Sequence, residues 1–390
     1  MYCSDYRILI FTNAYALSAY TINFRNNLYW MYLLVLLPLL LLALDKLVLY
    51  NKKIPYILLL GFCITASFNI AFFICIFLTF TFLTYDFKDI KDFLKKAINF
   101  IYSSLLSAGI VFWSLAATYL GFKSTAYGYD DAIFPSFTFF QNYWDSFKQF
   151  FIFANPISIT ENNGAINLYC GIFCLLLFFL SLQIKHHKQY YLKILFMVFI
   201  LFSSNNNLLS YLWNGLHYQS KVPNRYSFIL IFLLIDIGVD TLYLLHTISK
   251  KKVLLSLLLI WIFYGCILIF SKDQIFNLSF ISTGIILSIF SIFIVLGKYR
   301  FHRSFFRRAL FLITLIEILF NTLFTIYSED HTSGLFSERY NEAIDYYKNN
   351  ICTDSKQDRI NFIGLTLNNQ NSVCGVNSFK YFNSQLSPYQ

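Results

Sequence analysis

The residues able to do chemistry in this chain are few, and most sit within or beside long apolar runs. Asp236 and Asp240 are spaced one helical turn apart in an apolar stretch, and Glu317 falls mid-way along another. The 236/240 spacing puts both carboxylates on one helix face. Ionisable groups at bilayer depth are costly and are functional candidates by default. Two readings stand for them. They form a cation or proton site, or they are hydrogen-bonded groups between helices, with Asp240 snorkelling to the helix end. Asn69 is a further polar residue within an apolar run. A second cluster lies in the connection 204–225, where His217, Lys221 and Arg225 bring cations and donors together. Arg binds phosphate oxygens bidentately, so such a loop suits a lipid phosphate or pyrophosphate. The plainer reading is contact with lipid headgroups. The eight cysteines offer no zinc-ligand spacing with His support. Cys170 and Cys174 read as small apolar residues of a helix, and Cys352 and Cys374 are free to pair only if the tail is extracytoplasmic. No metal and no cofactor is expected, and a divalent cation has no support in the pattern.

The elements that must position these residues are membrane helices. Hydrophobic residues make up 57% of the 390 and charged residues 13%, about half the share of a soluble domain. Mean hydropathy is +0.57. The abundance of Phe and Tyr, with frequent Asn, Ile and Lys, also fits an AT-rich genome. The net charge of +10 falls in short clusters between apolar runs, so it reads as the positive-inside signal and not as a nucleic-acid surface. Apolar runs of about 20 residues occupy 8–24 (weakly), 28–44, 97–122, 166–184, 191–209, 226–246, 253–270, 277–297 and 309–327. The run 54–85 is too long for one span and is divided around 68–70, which gives about eleven spans. The connections 46–53, 86–96, 185–193, 247–252 and 298–308 carry 18 Lys and Arg, against 6 in the alternate ones. The expected topology is therefore an all-α, multi-pass protein with the N-terminus cytoplasmic. On that topology 122–165, 204–225 and everything after 328 lie outside.

Two outer segments differ from the rest. From 141 to 153, Tyr143, Trp144, Phe147, Phe150 and Phe151 recur at helical spacing. That pattern suits a helix lying in the membrane interface or one packed on the bundle. The tail 328–390 is polar and rich in Asn and Ser, with a short helix expected at 341–348 and strands at 360–366 and 378–382. Residues 1–327 thus form the transmembrane domain, and the tail forms a small α+β extracytoplasmic segment, the beginning of a larger domain.

Several stretches carry a family resemblance. Asn167-Leu-Tyr-Cys-Gly171, Trp213-Asn-Gly-Leu-His-Tyr218 and Pro223-Asn-Arg-Tyr-Ser-Phe228 resemble the YfhO family of bacterial membrane proteins. So do Tyr15-Ala-Leu-Ser-Ala-Tyr20, Trp30, Leu36-Leu-Pro-Leu39, the hairpin around Asn69 that ends in Phe73-Ile-Cys-Ile-Phe77, and in the tail Arg359-Ile-Asn and Ser378-Phe-Lys-Tyr-Phe. The resemblance implies a GT-C-like fold in the bacterial cell membrane. It also implies a glycosyltransferase that takes sugar from a polyprenyl-phosphate carrier and adds it to a cell-envelope polymer such as teichoic acid. It casts His217 and Arg225 as phosphate-binding residues, with Lys221 beside them and Asn214 where the family pattern has His. Two features depart from the family. Its members are about twice as long, and GT-C enzymes place a catalytic acid in their first outer loop. The corresponding Arg25-Asn-Asn27 has none, and the catalytic residue stays unassigned among Asp130, Asp131, Asp145 and Glu161. Truncation at both ends is the expectation. The rival readings are a flippase for lipid-linked saccharides, with Asp236, Asp240 and Glu317 along its path, and a non-catalytic partner whose missing part comes from a second polypeptide.

Overall fold

A computed structural model describes residues 6–123, 135–157, 164–184, 187–216, 222–271, 278–297 and 304–350; within 329–350 it describes the helical backbone and, of the side chains, Asp345 alone. The described residues are almost wholly helical. In chain order the helices are α1 (Tyr6–Ala16), α2 (Ala19–Asn23), α3 (Leu28–Tyr50), α4 (Ile54–Ala66), α5 (Phe68–Thr84), α6 (Ile90–Ile110), α7 (Phe112–Lys123), α8 (Tyr143–Phe147), α9 (Ile172–Ser181), α10 (Lys188–Ser204), α11 (Asn207–Trp213), α12 (Ser227–Leu244), α13 (Lys250–Phe270), α14 (Leu278–Gly297) and α15 (Ser304–Asn350). Among the described residues the only β pairing is an isolated antiparallel bridge between Phe139 and Asn206.

Five of these helices are long and apolar enough to cross a membrane: α3, α12, α13, α14 and the Ser304–Ser328 part of α15. A sixth is added if α6 and α7, broken at Val111, are counted as one span. The apolar helices α4, α5 and α9 are shorter. The count of eleven expected from apolar runs is therefore not reproduced, and the reason is where the backbone breaks. The run 8–24 divides into α1 and α2. Of 166–184 only ten residues are helical, because the chain runs without regular structure to a bend at Cys170 and enters α9 at Gly171, whose φ of +100° favours glycine. The run 54–85 does divide, at Ser67, whose extended backbone ends α4 and opens α5. In the tail, 341–348 is helical as part of α15. The strands expected at 360–366 and 378–382 lie outside the described residues.

Helix ends follow ordinary capping chemistry. Asp89 accepts a hydrogen bond from the amide of Asp92 at 2.7 Å, and Asn206 accepts one from Leu209 at 3.0 Å. Asn51 ends α3 in the left-handed conformation, which Asn tolerates. The chain divides into two units, one of Met1–Leu115 with Phe134–Thr325 and the other of Ala116–Ile133 with Ile326–Gln390. In the first unit α9 and α12 pack on each other at the centre. Helices α1 and α10 lie against α12, and α13 and α14 lie against α9. Almost every residue of α9 is buried, and two thirds of the α12 span is. Lipid is as apolar as these side chains, so close packing and interhelical hydrogen bonds have to hold the bundle. Phe80 and Phe196 stack with centroids 3.9 Å apart, Phe82 stacks on Phe100 at 4.9 Å, and Ser107 donates to the carbonyl of Ile57 at 2.9 Å where Gly61 lets α4 and α6 approach.

The aromatic stretch 141–153 packs on the bundle, and its regular helix is only α8 followed by a 3-10 turn at Lys148–Phe150. Trp144 stacks on Phe270, Phe147 meets Phe263, and the buried Phe151 meets Tyr264 and Phe280. The amide of Ile152 donates to Thr283 at 3.2 Å and that of Phe153 to Asn321 at 2.8 Å. Of the two readings of this stretch, the one packed on the bundle is realised. Burial pushes the Tyr143 phenol above its ordinary value.

Candidate functional site

The connection that enters α12 is built around buried asparagines. Asn205, Asn206 and Asn224 are fully buried. Asn205 makes a two-way pairing with the backbone of Gln141. It accepts from the amide at 2.9 Å and donates to the carbonyl at 2.7 Å. Asn224 donates to the carbonyls of Ala165 at 2.7 Å and Ser204 at 3.0 Å. It does so from a left-handed backbone, φ +49°, which Asn adopts more readily than most residues. Buried carbonyls away from water need donors, so these side chains clamp segments 138–141 and 164–167 to the start of α12. The Pro-Asn-Arg stretch is thus a scaffold at its Asn. The signal for it was the polar run Ser204-Asn-Asn-Asn207 directly after an apolar helix.

Around this scaffold the candidates separate. Arg225 is half-buried. Its guanidinium carbon lies 5.9 Å from the Trp30 ring centroid, its Nε donates to the carbonyl of Val222 at 3.3 Å, and its own carbonyl accepts from Tyr20 at 2.8 Å. Asn214 turns back on α11 and donates to the carbonyl of Ser210 at 2.8 Å. His217 and Lys221 lie outside the described residues. So do Asp130, Asp131 and Glu161, while Asp145 sits in the first turn of α8. Asn69 is exposed in the first turn of α5, at a helix start and not in mid-span.

Next to Arg225's neighbour Trp30, helices α1, α2, α3 and α12 enclose an apolar groove of about 720 Å³. Arg7 stands at one end of α1, over the Tyr243 ring at 3.7 Å, and Arg25 follows α2. Between them Phe11, Tyr15, Leu34, Val35, Phe232 and Val239 line the wall. The sequence passes over this groove, because its wall is assembled from three separate apolar runs whose residue types carry no motif.

Asp236 lines the groove and also a second, more polar cavity of about 380 Å³, with Asp45, Tyr85, Gln189 and Lys193. Lys193 on α10 pairs with Asp236 at 2.5 Å, and Tyr85 donates to Asp45. Asp236 thus makes an ion pair between α10 and α12, and Asp240 is exposed on the same helix. Lys193 escaped notice because it ends a basic cluster that the positive-inside signal already explains.

Glu317 on α15 is 1% exposed. Its Oε1 accepts from the Tyr169 hydroxyl at 2.8 Å and from the amide of Ile172, the first residue of α9, at 2.5 Å. Among the described residues its Oε2 has no hydrogen-bond partner. Among the described residues, no three His, Cys, Asp or Glu side chains are placed to hold a metal ion.

The several apolar helices accord with what comparison with known proteins finds. The family model described as bacterial membrane protein YfhO matches residues 1–389. No curated protein and no solved structure matches the chain. The match spans virtually the whole sequence, and the protein is a multi-pass member of the YfhO family of bacterial membrane proteins.

Proposed function

We propose that this chain is a GT-C-like glycosyltransferase of the bacterial cell membrane. It takes sugar from a polyprenyl-phosphate carrier on the outer face and passes it to a cell-envelope polymer such as teichoic acid. The N-terminus is cytoplasmic and the tail external. The observation that supports this reading is the apolar groove with an arginine at each end. A polyprenyl chain needs an apolar slot, and its phosphate needs a cation at the mouth. Arg25 stands at that mouth, and Arg225 beside Trp30 belongs to the same region of the bundle. His217, Lys221 and Asn214 belong to the connection leading to Arg225 and complete the phosphate-binding set. Their part is to hold the phosphate and its developing charge, and the general base is a carboxylate.

The test uses the full chain in lipid nanodiscs with a synthetic polyprenyl-phosphate sugar and a teichoic-acid acceptor. Release of polyprenyl phosphate is followed. Turnover is expected, with Arg25→Ala and Arg225→Ala raising KM about tenfold, the loss of one phosphate contact worth ~1.4 kcal/mol. Tight binding of the donor with no release of product would sink the enzymatic reading.

One observation favours a second reading, a flippase for lipid-linked saccharides. Asp236 borders both the groove and the polar cavity, so the two adjoin at one residue. Loss of export of the lipid-linked sugar in Asp236→Asn, with insertion and sugar transfer unchanged, would favour it over the first.

A further inference from the structure

Glu317 takes no part in the groove, and donor binding gives it no role. It is nonetheless, among the described residues, the one buried carboxyl. The carboxyl is fully buried in the Ser304–Ser328 span. Both of its donors, the Tyr169 hydroxyl and the Ile172 amide, converge on Oε1, and Oε2 is left without a partner. Among the described residues, no Lys, Arg or His pairs with it. Arg308 on its own helix lies about 14 Å of rise away. Among the described residues, the titratable groups that act on it are Tyr169, just before α9, and Cys174 within α9, which is itself hydrogen-bonded to Cys170. Helix α14, which packs on α9, has no titratable side chain.

From this geometry we propose that Glu317 is a proton-binding site in the membrane interior, carried as the neutral acid with the proton on Oε2. An anion here would place its charge in an apolar core with one oxygen unsolvated and, among the described residues, no cation paired with it, a far costlier state than a neutral acid. The partial positive charge of the α9 N-terminus and the Tyr169 hydroxyl act on Oε1, and they leave Oε2 as the place where the proton goes. The site joins α15 to the start of α9, so proton occupancy and the packing of those two helices are linked. Taking up the proton makes one O–H bond at Oε2 with a proton from water, and needs no other reactant.

The experiment is isotope-edited infrared spectroscopy of the full chain in nanodiscs, with glutamate carboxyls carbon-13 labelled. The chain has five glutamates, Glu161, Glu317, Glu329, Glu338 and Glu342. The expected result is a label-shifted carboxylic-acid C=O band at neutral pH, with the intensity of a single carboxyl. It is lost in Glu317→Gln. If all labelled intensity lies in the carboxylate bands at neutral pH, Glu317 is ionised and the proposal falls. The proposal also falls if an acid band survives in a folded Glu317→Gln chain. Should Glu317→Gln fail to fold, Glu317→Asp, which keeps the acid but removes its label, must lose the label-shifted band, and a band that survives there overturns the proposal.

Discussion

The carboxylate of Asp236 on α12 lies 2.5 Å from the ammonium of Lys193 on α10, and that pairing changes how the intramembrane acids read. A carboxylate that looks isolated along its own apolar helix is neutralised by a residue 43 positions earlier, which the chain placed at the end of a basic cluster.

The pair should show coupling. The Lys193 side chain is 24% and the Asp236 side chain 38% exposed, so the interaction is worth about 1 kcal/mol or less. Asp236→Asn and Lys193→Met are each expected to lower thermal stability in detergent, and the double variant to lose less than the two effects added together. Strict additivity would show that the pair contributes nothing.

The asparagine clamp should be intolerant of substitution. Asn224→Ala leaves the carbonyls of Ala165 and Ser204 without their donor, a loss of about 1–3 kcal/mol. Asn224→Asp should be at least as damaging, because a carboxylate oxygen then faces both carbonyls. Melting temperature and membrane yield of the two variants against the parent test this order.

The groove should be closable from its rim. Val35 lines it and is largely exposed, so enlarging it need not disturb the core. Val35→Trp is expected to weaken binding of a fluorescent polyprenyl phosphate about tenfold, or ~1.4 kcal/mol, with the melting temperature nearly unchanged. Unaltered affinity would place the lipid chain elsewhere.

The charge asymmetry makes a topological prediction. Lys52 and Ser136 are both exposed and belong to connections expected on opposite sides. In intact cells a membrane-impermeant thiol reagent should label Ser136→Cys over the parent chain and spare Lys52→Cys until the cells are opened. The reverse pattern would invert the proposed orientation and with it the outer-face chemistry.

The sequence by itself determined the class of protein. Composition and hydropathy demand a membrane, and the ordered motifs from Tyr15 to Ser378 carry the family, because both are properties of residues in a row. It also located the break in the run 54–85, since Ser67 and Asn69 interrupt the apolar stretch. Tertiary structure decided everything that depends on what lies across from a residue. Gly171, at a φ of +100°, opens α9 part-way along the run 166–184, and the amide of Ile172 beside it donates to Glu317, 145 positions later in the chain. Asn224 belongs to the scaffold because two carbonyls face it, while Arg225 beside it keeps its cation toward Trp30. The groove exists because α1, α2, α3 and α12 do not fully meet. Apolar periodicity tells which faces avoid water, but in a bundle solvated by lipid it does not tell which of those faces find a partner and which leave a space.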